Sequence, residues 1–430
     1  METFTYPRLQ ETVFRKVLPN GLTVMVVPRP GFTKKLCYFV TDFGAIHTDF
    51  TLDGKPWEVP AGIAHYLEHK LFDMPGGRDV TGEFASLGAI PNAFTSYDLT
   101  AYYFSCTEHF EKCLRLLLEF VSTPYFTEET VAKEQGIIGQ EIDMNRDNPD
   151  TQIFEMLMES MYENHPIRVP ILGHRETIAK ITPETLHACH KAFYRPDNML
   201  LCVVGDVDAD SVETIAMDIL GNPQQPPVER VRRWDEAMTC PVKYTEKHMD
   251  VAMPTFHLGF KCEAFEPGEE AVRREITAEL AAEALFGESS ELYHKLYESA
   301  LIDTSFGGGF ETIDGMSMFT ASGDSNDPKA VVEAILRRAK EIAEKGLIEA
   351  DFLRMKRSAL GRRIRELDSF DSTCFRLCAY YLSEVDYFRF PEVYRQVQRQ
   401  EIQEFLAEVA RTNRGAVSVL HPISQEVDYE

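Results

Sequence analysis

Two histidines four residues apart, with a glutamate just before the second, carry the most specific chemistry in this sequence: His65-Tyr66-Leu67-Glu68-His69. A helix turns about 100° per residue, so His65 and His69 would stand one above the other and could offer two imidazole nitrogens to a single metal ion. Glu68 falls on the same side of such a helix, where its carboxylate could take the proton of a water that the metal acidifies. The order His-x-x-Glu-His is the inverted form of the zinc-protease helix motif. Zinc favours a few nitrogen ligands, a carboxylate and one open position for water. The flanks, Ala61-Gly62-Ile63-Ala64 before and Leu71-Phe72 after, are apolar and predict a buried helix. Buried His and Glu side chains need partners, so a surface helix that merely happens to carry these residues is the poorer reading.

The motif supplies two ligands and a base, and a third ligand must come from elsewhere. Thr127 followed by Glu129 and Thr130 marks a helix start, and the residues up to Ile142 are good helix formers apart from Gly136 and Gly139. Glu134 and Glu141 are seven apart and share one face of that helix, near Ile137 and Ile138. Composition alone leaves open whether they serve a metal site or form an ordinary acidic surface.

Taken in order, these motifs resemble the pitrilysin/insulinase family of zinc metallopeptidases, which includes the mitochondrial processing peptidases. That family places a distal Glu ligand some seventy to eighty residues after the motif, in Glu-x6-Glu spacing, and Glu134 and Glu141 match it. The resemblance implies zinc ligands His65, His69 and Glu141, Glu68 as general base, and Glu134 as a carboxylate that orients a ligating His. It covers most of the chain. Leu18-Pro19-Asn20-Gly21-Leu22-Thr23-Val24 is similar to the family's opening strand, and Asn92-Ala93-Phe94-Thr95 to its Asn-Ala-x-Thr strand. Tyr194-Arg195-Pro196-Asp197-Asn198-Met199 through Val203-Val204-Gly205-Asp206 is similar to the strand that ends its first domain. Within the family the chain is most similar to bacterial processing-protease-like subunits associated with elongation factor P modification. An edge strand near residue 92 pairs with extended substrate in this family, which makes Asn92 and Ala93 the candidate substrate contacts; a core hairpin accounts for the alternating pattern of 92–104 equally well.

The 430 residues suffice for two domains, and 44% hydrophobic with 26% charged residues is ordinary for a soluble globular chain. A net charge of −25, from 44 basic and 69 acidic residues, argues against nucleic acid and anionic membranes as partners. The stretch from Met1 to Lys16 is polar and reads as no signal peptide, and no apolar run is long enough to span a bilayer. The nine cysteines are scattered without metal-binding spacing; Cys374 and Cys378 share a helical face as buried thiols, and a reducing cytoplasm fits best. His187 and His190 lack an obvious third ligand and read as a partly exposed helix face.

The polar, proline-rich stretch 221–227 predicts a division into a zinc-binding domain 1–220, a linker 221–230 and a homologous non-catalytic domain 231–430. The order helix, strands, helix, helix occurs twice. It runs from the zinc-motif helix through 89–106, 108–122 and 127–145, and again through 269–286, 305–322, 328–345 and 348–366. We expect an α+β fold made of two similar α/β domains, each a sheet packed against helices, and the resemblance implies one half of a clamshell. Helix 270–283 contains no His, so the second copy cannot hold a metal by the same device.

The family's second domain usually carries an Arg and a Tyr that reach the zinc site. Here the run from Ser289 places Tyr297 at the Arg position, and Asp303 or Thr304 at the Tyr position. Neither can lend a positive charge to an oxyanion. The sequence therefore reads as a cytoplasmic zinc metalloendopeptidase acting on peptides, the catalytic subunit of a heterodimer with a homologous chain that lacks a zinc motif and keeps the pair. A self-sufficient homodimeric oligopeptidase and a non-catalytic scaffold subunit are the alternatives.

Overall fold

Two continuous apolar runs lie at the centre of the first sheet: Lys35–Thr41 and Met199–Gly205 are buried along almost their whole length, as strands covered on both faces must be. The computed structural model describes residues 1–223, 225, 227–230, 234–263, 268–313 and 315–423. In chain order the strands of the first half are β1 (Glu2–Tyr6), β2 (Glu11–Val17), β3 (Thr23–Pro28), β4 (Lys35–Thr41), β5 (Asp49–Leu52), β6 (Lys55–Glu58), β7 (Ile90–Thr95), β8 (Thr100–Cys106) and β9 (Met199–Gly205). Those that follow are β10 (Val228–Arg230), β11 (Tyr244–Met249), β12 (Thr255–Cys262), β13 (Gly307–Ile313), β14 (Met316–Asp324) and β15 (Gly415–Pro422).

The large sheet has the order β1-β2-β3-β9-β4-β8-β7, and β5, β6 and β10 form a small separate one. The remaining sheet runs β11-β15-β12-β14-β13. Its pattern repeats that of β3-β9-β4-β8-β7: one parallel pair at the start, then three antiparallel pairings. The expected duplication is thus written in the strand topology. The expected helices are present with others beside them. Those of the first copy are α1 (Ile63–Lys70), α2 (Val80–Ser86), α3 (Phe110–Ser122), α4 (Glu128–Arg146) and α5 (Pro149–Met161). The second copy has Glu269–Phe286, Glu291–Glu298, Pro328–Lys345, Glu349–Arg365 and Phe370–Leu382.

The chain forms two compact units, and neither is contiguous in sequence. The first comprises Met1–Ile142, Pro170–Arg233 and Ile364–Arg389; the second comprises Asp143–Val169, Trp234–Arg363 and Phe390–Glu430. This differs from a single cut at 221–230. Within the second unit, α5 packs on β11, β12 and β15, and within the first, helix Phe370–Leu382 packs on β4 and β9. These two helices hold corresponding places in the two copies, so each copy lends one helix to the other copy's sheet. The physical reason is the need to cover both faces of apolar strands. Cys374 on the lent helix, for example, lies with its Sγ 3.9 Å from the carbonyl oxygen of Cys202 in β9. All nine cysteines are buried free thiols. Among the described residues no helix is long and apolar enough to cross a membrane.

Candidate metal centre

Helix α1 has only eight residues, too few to be stable in isolation, so packing must hold it. Tyr66 and Leu67 are fully buried in the core, with Ile63 and Ala64 beside them. The chain enters α1 through Gly62 at φ 93°, where a Cβ would come within 2.4 Å of the Leu172 carbonyl oxygen; only glycine fits. The Tyr66 hydroxyl donates to the Val131 carbonyl of α4, tying the motif helix to the helix of Glu134 and Glu141. Gly139, a poor helix former inside α4, has a role in packing: a Cβ there would lie 2.5 Å from the Arg175 guanidinium.

The two helices bring His65, His69 and Glu141 together, with one ligand atom from each lying within 4.8 Å of the others. His65 Nε2 and Glu141 Oε1 are 3.6 Å apart, as are His69 Nε2 and Glu141 Oε2. Those separations exceed a hydrogen bond. They fit atoms sharing one cation, since two ligands of a tetrahedral zinc stand about 3.4 Å apart when each bond is about 2.1 Å. His69 Nδ1 lies 2.9 Å from Glu134 Oε1. Donating its Nδ1 proton there leaves the Nε2 lone pair of His69 facing the site. His65 Nδ1 is buried and has no hydrogen-bond partner among the described residues, so the His65 ring lacks the restraint that Glu134 gives His69.

Glu68 is buried beside these ligands, and its Oε2 accepts a 2.6 Å hydrogen bond from Thr95 Oγ1. Burial raises the Glu68 pKa; the Thr95 bond and His69 oppose that rise and the charge of Glu141 adds to it. The carboxylate is therefore a stronger base than an ordinary glutamate. Burial, helped by the neighbouring His69, lowers the His65 pKa to about 3, so this imidazole is neutral with its lone pair available. For His69, burial works against the charged form, but the Glu134 hydrogen bond and the charges of Glu68, Glu134 and Glu141 outweigh it and the net shift is upward. Three carboxylates around two imidazoles make a strongly cation-attracting site. Donor set, spacing and charge fit a zinc ion, and the partial exposure of the Glu141 and His69 side chains, 33% and 27%, leaves one side open.

Asn92 and Ala93 lie on β7, the last strand of the large sheet and a neighbour of α1. Asn92 is exposed, and its side-chain oxygen accepts from the Ala93 amide at 2.9 Å. Thr95, at the end of the same strand, was not singled out by sequence reasoning. It stands in the quoted Asn-Ala-x-Thr run, but a hydrogen bond to a residue 27 positions away leaves no local pattern. The other histidine pair is split. His187 is exposed against Phe126, whereas His190 is buried, bonds the Val121 carbonyl at 3.0 Å through Nε2 and stacks on Tyr194; the exposed-face reading holds only for His187. In the second copy, Glu275 and Glu279 of the helix matching α1 pair with Arg363, at 2.8 and 3.7 Å. Tyr297 is half exposed and stacks on Tyr293.

A duplicated sheet-and-helix unit, with the inverted motif and a distal glutamate on one copy only, defines an inverted-motif metallopeptidase architecture. Comparisons with known proteins agree. A family model described as insulinase (peptidase family M16) matches residues 57–175, and one described as peptidase M16 inactive domain matches 180–359. YmfH of Bacillus subtilis (strain 168), described as an uncharacterized zinc protease, is 37% identical over 428 residues, covering 97% of this chain and 99% of its own. The crystal structure of an M16-like peptidase from Alicyclobacillus acidocaldarius matches with a TM-score of 0.92 at 30% identity, over 98% of this chain and 100% of that one. A protease from Helicobacter pylori, at 19% identity, shares the fold with a TM-score of 0.83 over 95% of this chain and 99% of its own. The chain belongs to the insulinase family of peptidases, M16.

Proposed function

We propose that this chain is a zinc metalloendopeptidase that hydrolyses peptides and is the catalytic subunit of a heterodimer in the cytoplasm. The observation that carries the reading is the convergence of His65, His69 and Glu141 beside a buried Glu68. A zinc ion held by those three residues would supply the Lewis acidity that polarises the scissile carbonyl and acidifies the attacking water. Glu68 accepts the proton of that water and delivers it to the leaving amine. Thr95 fixes the carboxylate of Glu68, and Glu134 fixes the tautomer of His69. The edge of β7, with Asn92 and Ala93, takes the substrate main chain as an added strand, which tolerates many sequences. Tyr297, with Asp303 or Thr304, standing where the family resemblance places an Arg and a Tyr, supports the need for a second, homologous chain to donate that pair. Nine unpaired thiols suit a reducing compartment.

The test is Glu68→Gln. The variant should keep its zinc and lose peptide cleavage by on the order of 10²–10⁴, because an amide cannot accept the proton. Near-normal turnover by the purified variant complex, with other proteases excluded, would remove Glu68 from the mechanism.

A further inference from the structure

A cavity of about 530 Å³ lies wholly within the second unit, between the N-terminal end of α5 and the face of the sheet beneath it. Such a volume suits a small ligand or one or two side chains of a larger one. The sheet contributes a polar floor, Thr255 and His257 from β12 with Ser322 and Asp324 from β14. The register explains the grouping: Thr255 stands opposite Asp324 and His257 opposite Ser322, so all four project from one face. Helix α5 contributes an apolar wall through Phe154 and, from its first turn at the rim, the exposed carboxylate of Asp150.

The charges of this lining are one-sided. It contains two aspartates and neither Lys nor Arg among the described residues. Asp324 Oδ1 accepts from Thr255 Oγ1 at 2.6 Å; among the described residues its Oδ2 has no hydrogen-bond partner, and neither Asp150 nor Asp324 has a cationic partner. His257 does not supply the missing charge. Burial lowers its pKa to about 4, and its ring, 6.1 Å from that of Phe154, makes no hydrogen bond among the described residues. Two carboxylates without counter-ions, beside an aromatic wall and a neutral imidazole, are complementary to a cationic head on an apolar stem.

We propose that this cavity is a peptide-anchoring site remote from the zinc ligands in sequence, and that it seats a lysine or arginine side chain of the substrate, with the stem on Phe154 and the head on Asp150 and Asp324. The choice of a peptide over a free amine rests on the peptidase reading above. The site gives a chain with a net charge of −25 a specific means of selecting basic peptides, beyond the general attraction of its surface.

The test reads binding, not cleavage. Two fluorescein-labelled decapeptides, alike except for a central lysine or norleucine, are titrated by fluorescence anisotropy against the full chain in the Glu68→Gln background. Norleucine keeps the stem and removes the charge. The lysine peptide should bind roughly fivefold more tightly, and Asp150→Asn with Asp324→Asn should erase that preference while leaving the norleucine peptide unchanged. Val251→Lys, a cation tethered at a lining residue, should erase it as well, which covers the case in which the double variant folds poorly. An equal affinity for both peptides in the parent, or a lysine preference that survives these substitutions, would overturn the proposal. Displacement of the lysine peptide by 1,5-diaminopentane at equal concentration would overturn the peptide assignment in favour of a free amine. An aspartate-dependent lysine preference in a chain that cleaves nothing would leave this site standing and the peptidase reading fallen.

Discussion

Glu68 and His69 are neighbours on one helix, and each has its own support. Thr95 donates to the carboxylate and Glu134 accepts from the imidazole. In the proposed mechanism the Glu68 carboxylate serves both an attacking water and a leaving amine, and the Thr95 hydroxyl is placed to hold it for both. Thr95→Val should therefore lower kcat by about tenfold or more, the usual worth of a hydrogen bond to a charged group, with zinc content and KM little changed. Thr95→Ser should restore most of the rate. A valine variant with parental kcat would reduce Thr95 to a packing residue. At this scale the sequence was uneven. His65, Glu68 and His69 follow from the motif alone, because helical spacing puts chemistry on one face. Glu134 and Glu141 needed the family's spacing, because seven-residue periodicity is common to any helix. Thr95 was hidden, since its partner is set by how β7 meets α1.

The elements that carry the site are held by contacts rather than by intrinsic preference. α1 is short, and α4 carries two glycines, yet both helices form because their buried faces lock together through Tyr66 and Val131. Helix Pro183–Phe193 is similar. His190, on its buried side, packs on Tyr194 and bonds the Val121 carbonyl at the end of α3. Burial lowers its pKa to about 4 from an unfolded value of 6.5. Below about pH 6.5 the unfolded chain binds a proton that the folded chain refuses, so the stability present above that pH is lost as the pH falls towards 4. His190→Gln can keep a donor for Val121 and removes the titration. Its melting temperature should fall less steeply than the parent's between about pH 6.5 and 4.5. Parallel curves would show that His190 takes no part in the acid response. Helix positions were legible within a residue or two where the apolar periodicity is strong, as in Phe110–Ser122 and Pro328–Lys345. The burial of His190 was not, because a histidine on an amphipathic helix looks the same from sequence whether it meets solvent or a carbonyl.

On the scale of the whole molecule, a duplicated unit has divided its duties. One copy brings together side chains that could hold a metal ion, and the other has filled the matching helix with glutamates paired to an arginine. The duplication was legible from the repeated order of helices and strands. The exchange of α5 and Phe370–Leu382 between the two units was not, because an apolar helix face fits either sheet and nothing local records which one it covers. On the proposed reading, Tyr297 at the Arg position and Asp303 or Thr304 at the Tyr position extend the division of duties to a second chain. The purified chain alone should bind zinc yet cleave peptides poorly. A homologous chain carrying the Arg and Tyr should raise the rate by on the order of 10²–10³, and replacing that Arg should remove the gain. Full activity from this chain alone, unaffected by such a companion, would show that the missing donors have been replaced within it.

The most direct test of the central claim is anomalous diffraction at the zinc edge from zinc-loaded crystals of the full chain. One peak is expected, about 2.0–2.2 Å from His65 Nε2, His69 Nε2 and a carboxylate oxygen of Glu141, with Glu68 beside it and unligated. A zinc ion bound elsewhere, or bound at His65 and His69 with Glu141 turned away, would contradict the account.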